Sequence, residues 1–108
     1  MDTVEILVTM PRNAVFRTFF SDERIAQLEQ VGHVRWNETG RQYTGQELAD
    51  RMEGVEVLIT GWGAPKLDET VMARADSLRL VAHTGGSVNG YVTDAVYDRG
   101  VRVVSGNE

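Results

Sequence analysis

Residues 78–105 read LRLVAHTGGSVNGYVTDAVYDRGVRVVS, and this stretch decides the fold. Leu78–His83 is an apolar run with little alternation of polar and apolar residues, the pattern of a strand buried on both faces. Three glycines follow within residues 85–90. Tyr91–Asp98 admits two readings. Its Tyr, Val and Thr content favours a strand, and Asn89-Gly90 would suit a hairpin turn. Strand alternation, however, puts Val and Asp on one face. Helical spacing groups Val92, Ala95 and Val96, leaves Asp94 and Asp98 outside, and finds Gly100 where a helix stops. The helix is the better reading. Val101–Val104 is again apolar. Strand, loop, helix and strand in this order make a parallel pair joined by a right-handed crossover.

The same alternation runs back through the chain. Val4–Met10, His33–Trp36 and Val55–Thr60 are further strand-like runs. Ser21 can cap a helix carrying Ile25, Leu28 and Val31, ended by Gly32. Thr44 and Glu47 form a capping box before Leu48, Met52 and Gly54, and Asp68 can cap a helix bearing Val71, Met72 and Ala75. The pattern is β-α-β-α-β-α-β-α-β, one domain over residues 1–108. It implies an α/β three-layer, flavodoxin-like open parallel sheet of order 2-1-3-4-5. The pattern ends on a strand, so the final covering helix is missing. A bare face beside Val101, Val103 and Val104 is expected to favour self-association.

Composition narrows the function. The net charge is −5, from 16 acids against 11 bases, without a basic cluster, which argues against nucleic acid and anionic membranes as partners. The chain has no cysteine, which excludes disulfides and thiolate metal sites. No apolar run approaches the ~20 residues of a membrane span. The start, Met1-Asp2-Thr3-Val4-Glu5, lacks the bases and apolar stretch of a signal peptide, so a cytoplasmic location is expected. Asn37-Glu38-Thr39 matches a glycosylation sequon, to which little weight attaches without a secretory signal.

Two glycine turns are the candidate sites. Gly61-Trp62-Gly63-Ala64-Pro65-Lys66 begins like a dinucleotide fingerprint, but Lys66 replaces its third glycine. The acid expected at the end of the next strand is replaced by His83-Thr84. Trp62 is then either a domain-contact residue or a pocket wall. In Thr84–Gly90 the glycines let backbone amides approach a ligand, and the following helix start adds attraction for a carboxylate or phosphate. A tight turn without a ligand is the competing reading. His83 ends a strand beside this loop and can line a polar pocket. A catalytic role is not supported, because no carboxylate is evidently placed to orient it. His33 reads as structural. The acids Asp22-Glu23, Glu47, Asp68-Glu69 and Asp94 fall at helix starts, where capping and the helix dipole explain them. A phosphoacceptor receiver domain would need acids where Thr9-Met10-Pro11 and Thr60-Gly61 stand, and Met10–Asn13 does not resemble a flavin phosphate loop.

Leu78–Ser105 resembles the D-2-hydroxyacid dehydrogenase family, which runs in the same register through a strand, a G-x-G-V-D loop, a helix with a central Ala, R-G-I/V and a short strand. Val55–Ala75 resembles the strand and helix before it; the first fifty residues agree in element order. Ser87 stands for the loop's second glycine and Asn89 for its Asp. Basic residues sometimes hold the position of His83 in relatives acting on phosphorylated substrates.

The resemblance implies a fragment of a substrate-binding domain whose complete enzyme interconverts 2-keto and D-2-hydroxy acids with NAD or NADP. The Rossmann domain with the catalytic Arg, Glu and His would lie beyond the fifth strand. This chain alone is thus expected to be inactive, with no cofactor or metal site. What carries over is a substrate site at Gly85, Gly86, Ser87 and Val88, with backbone amides at Gly86 and Ser87 holding the substrate carboxylate and His83 and Trp62 nearby. The alternative is a stand-alone, non-catalytic flavodoxin-like module that binds a small anion or a protein.

Overall fold

The structure, a computed structural model, describes residues 4–11, 21–61, 64–84 and 91–105. The described elements are β1 (Val4–Pro11), α1 (Asp22–Val31), β2 (Gly32–Asn37), α2 (Gly45–Arg51), β3 (Val57–Thr60), α3 (Glu69–Met72), β4 (Leu80–His83), α4 (Asp94–Asp98) and β5 (Arg102–Ser105). The strands form one parallel sheet of order β2-β1-β3-β4-β5, as the alternating pattern implies.

The helices begin where the sequence supplies a side-chain oxygen. Ser21 accepts from the Arg24 amide, and Asp68 accepts from the Val71 amide. At α2 both arms of the Thr44–Glu47 capping box are made, and Arg41 holds the Glu47 carboxylate with two hydrogen bonds of 2.6 and 2.8 Å. Arg99, just past α4, donates to the carbonyls of Met72 and Ala75. It thereby adds a side-chain donor at the end of α3, where the Met72 carbonyl also accepts from the Ala75 amide.

Two side-chain clusters make the core. Leu7, Leu58 and Val81 pack with Leu48 and Met52 of the α2 segment, Val71 and Met72 of α3, and Val96 of α4. On the other face Ile6, Val8, Met10 and Ile59 pack with Ile25 and Leu28 of α1. α1 buries no residue fully, and Val31 is 65% exposed, so the expected apolar stripe of that helix stops at Leu28. No loop separates α1 from β2. A Cβ on Gly32 would stand 2.3 Å from the Val4 carbonyl oxygen, so only glycine lets the chain pass from helix into strand against β1.

Two expectations need correction. The last helix does not begin at Tyr91: Val92 bridges to Leu67, and α4 starts at Asp94. The Thr93 hydroxyl does not cap α4 but donates to the Leu67 carbonyl at 2.7 Å, which pins this segment before the helix can start. Second, the valines of the last strand are not uniformly bare. Val101 is buried, Val103 packs on the first cluster, and only Val104 is exposed, at 43%. Side chains alternate across a strand, so Val103 and Val104 point to opposite faces.

Candidate functional site

Along one face of the sheet, Leu7, Leu58, Val81 and Val103 stand in register across β1, β3, β4 and β5. The next residues on the same face, two positions further along each strand, are Thr9, Thr60, His83 and Ser105. Thr60 pairs with His83, and His83 with Ser105. A wholly apolar row is thus followed, toward the C-terminal ends of the strands, by a row of hydroxyls and one imidazole. Thr9 is 0%, Thr60 1% and His83 1% exposed. That edge is where open α/β sheets bind their ligands.

His83 is the centre of this row. Its Nδ1 shares a 2.8 Å hydrogen bond with Thr60 Oγ1, and its ring lies 4.6 Å from that of Tyr91. Burial pushes its pKa below the ordinary histidine value, so the ring is neutral at pH 7. Among the described residues its Nε2 and the Thr9 hydroxyl are buried without a hydrogen-bond partner. Each such group costs about 1–3 kcal/mol unless a ligand or water satisfies it. The partner of Nδ1 is a hydroxyl and not a carboxylate.

Neighbouring residues fix the edge. A Cβ on Gly61 would meet Met10 Sδ at 2.6 Å and Thr84 Oγ1 at 3.1 Å, so this glycine lets the ends of β1, β3 and β4 converge. Thr84 Oγ1 donates to the Thr60 carbonyl at 3.1 Å. Asn37 is fully buried and its Nδ2 donates to the carbonyls of Thr9 and Arg41, while its Oδ1 accepts from Thr39. The nitrogen a glycan would need is therefore committed to holding the end of β1.

Of the sequence-predicted site residues, His83 is placed at this edge. Trp62, Gly85, Gly86, Ser87 and Val88 lie outside the described residues. Thr9, Thr60 and Tyr91 are not singled out as site residues by the sequence; the one available signal is that Thr9, Thr60 and His83 each fall at the end of an apolar run. The Gly61–Lys66 turn is described only in part, with Trp62 and Gly63 outside the described residues. Gly61 is consumed by packing, exposed Lys66 holds the third glycine position, and the end of β4 offers His83 instead of an acid. Among the described residues no His, Asp and Glu cluster could hold a metal ion, and no helix is long and apolar enough to cross a membrane.

The family model for the catalytic domain of D-isomer specific 2-hydroxyacid dehydrogenases matches residues 6–107. The chain belongs to that family. A D-3-phosphoglycerate dehydrogenase of Methanocaldococcus jannaschii is 28% identical over 102 residues, which is 94% of this chain and 17% of that protein. The PH0520 protein of Pyrococcus horikoshii OT3 superposes with a TM-score of 0.72 at 16% identity, covering 97% of this chain and 28% of the other. The apo-structure of D-lactate dehydrogenase from Escherichia coli gives 0.67 at 12% identity, covering 97% and 31%. These two structures share the fold. The chain spans about a sixth of the dehydrogenase from M. jannaschii and under a third of either structural neighbour. This D-2-hydroxyacid dehydrogenase domain thus presents a buried polar row at the C-terminal ends of β1, β3 and β4.

Proposed function

We propose that this domain is the substrate-side wall of an NAD- or NADP-dependent dehydrogenase, which acts in the cytoplasm and interconverts 2-keto acids and D-2-hydroxy acids. The nicotinamide cofactor and the hydride and proton transfers belong to the rest of the enzyme. This chain by itself neither binds the cofactor nor turns over. The amides of Gly86 and Ser87 hold the substrate carboxylate, and Gly85, Val88, Trp62 and His83 line the cleft around it. The supporting observation is the set of buried polar side chains Thr9, Thr60 and His83 at the C-terminal edge of the sheet, in a chain whose family acts on 2-hydroxy acids.

The test is kinetic and uses the full-length protein. Gly86→Pro removes one amide and strains the loop. The expected loss in kcat/KM for a reduced 2-keto acid is tenfold or more, about 1.4 kcal/mol of transition-state binding. Kinetics unchanged within about twofold would make the loop a turn only. Titration of NADH into the isolated chain is expected to show no binding at low micromolar concentration.

The isolated chain is also expected to self-associate at high concentration through the face that carries Val104. Light scattering over a dilution series reads this directly, and a monomer at several hundred micromolar overturns it.

A further inference from the structure

On the face of the sheet that packs against Ile25 and Leu28 of α1, Val57, Leu80 and Arg102 stand side by side across β3, β4 and β5. An open hollow of about 300 Å³ is lined here by Val57, Arg79, Leu80 and Arg102. It lies at the N-terminal ends of the strands, the opposite edge from His83. Val57 and Leu80 are half-buried and give it an apolar floor, whereas both arginines are exposed. The alkyl stem of an arginine can lie along such a floor while its guanidinium stays at the rim.

The charge at this rim is one-sided. Arg79 reaches one carboxylate, Glu56, at 3.6 Å, which is longer than a hydrogen bond. That carboxylate is shared, because its other oxygen accepts from the Glu5 amide at 3.3 Å. Arg102 meets no carboxylate within ion-pair distance among the described residues. The amides of Arg79 and Leu80 donate to the Glu56 carbonyl and that of Arg102 to the Arg79 carbonyl, so the donors offered to a ligand are the guanidiniums.

We propose that this hollow is a second ligand site, which takes a small monocarboxylate with an apolar body. Arg79 and Arg102 bind the carboxylate, whose two oxygens match a guanidinium fork, and the hydrocarbon lies on Val57 and Leu80. A compact inorganic anion would gain only a charge contact screened by water and salt. An uncharged apolar molecule would leave the guanidiniums unused. A second negative charge on the ligand would face Glu56, so one carboxylate fits best. The site does not rest on the dehydrogenase reading.

Calorimetric titration of the full-length protein with octanoate, octanamide and inorganic phosphate tests this. Octanoate is expected to saturate with a dissociation constant of about 1 mM or lower. Octanamide and phosphate should each bind at least about tenfold more weakly. Arg79→Gln and Arg102→Gln alter exposed side chains outside the core, and each should weaken octanoate about tenfold. Arg74→Gln, at an exposed arginine outside the hollow, should leave the affinity unchanged, and so should Gly86→Pro. Absence of saturable octanoate binding, phosphate binding as tight as that of octanoate, or affinity that survives both arginine substitutions overturns the inference. Octanoate binding lost in Gly86→Pro and kept in the arginine variants would place the anion at the glycine loop; this inference then falls and the proposed function stands.

Discussion

The two histidines sit at opposite ends of the sheet and make hydrogen bonds of nearly the same length. His33, at the start of β2, holds Glu5 Oε2 at 2.7 Å, and His83, at the end of β4, shares 2.8 Å with Thr60. Their settings differ. The His33 pair belongs to a surface network in which Arg35 also reaches Glu5 and Glu56 lies between the Glu5 amide and Arg79. Water screens that network, so its members can be lost at small cost. The His83 pair is buried and uncharged, and breaking its bond leaves a polar atom stranded. A histidine–carboxylate contact resembles catalytic equipment, yet here it is the exposed one. The buried histidine is instead the one paired with a hydroxyl.

That contrast can be broken at several places. The largest effect should come from the row that supports the buried end. Leu58→Ala, at a fully buried position, is expected to lower stability by about 2–5 kcal/mol in urea unfolding. One rung higher, Thr60→Val preserves volume but strands His83 Nδ1, for a loss of about 1–3 kcal/mol. A loss no larger than that of a surface substitution would show that the Thr60–His83 bond contributes nothing.

The two ends should also separate by pH. His83 has its pKa lowered by burial, so between that lowered value and the ordinary 6.5 the unfolded chain binds a proton that the folded chain refuses. Its contribution is fully present above pH 6.5 and is lost as pH falls below it. The difference between wild type and His83→Phe in unfolding free energy should therefore shrink as pH drops below 6.5. A difference independent of pH would mean that the ring is not held neutral. Glu47 and Glu5 respond lower. Arg41 and the Thr44 amide hold Glu47 down to about 2, and His33 and Arg35 lower Glu5, so their support is present above 4.5 and is lost as pH falls toward their folded values.

The smallest effect belongs to the exposed end. His33→Ala should change stability by less than about 1 kcal/mol, and by less again in high salt. A larger, salt-independent loss would show that the network of Glu5, His33 and Arg35 sets the register of β1 and β2.

Local chemistry settled much of this molecule in advance. The caps Ser21, Thr44 and Asp68 and the apolar runs of the strands act within a few residues, so their meaning is legible without the fold. The strand–helix alternation then restricts the sheet to parallel order, because crossovers have one hand. The register was not legible. Thr9, Thr60 and His83 are far apart in the chain and form one row only when three strands are laid side by side; a shift of one residue would turn any of them to the other face. The start of α4 was likewise decided at a distance, by the bond from Thr93 to the Leu67 carbonyl, which no local propensity encodes. Sequence alone therefore determined which elements form and their order in the sheet. Tertiary structure decided which side chains meet there, because burial and hydrogen-bond partners depend on neighbours from other strands.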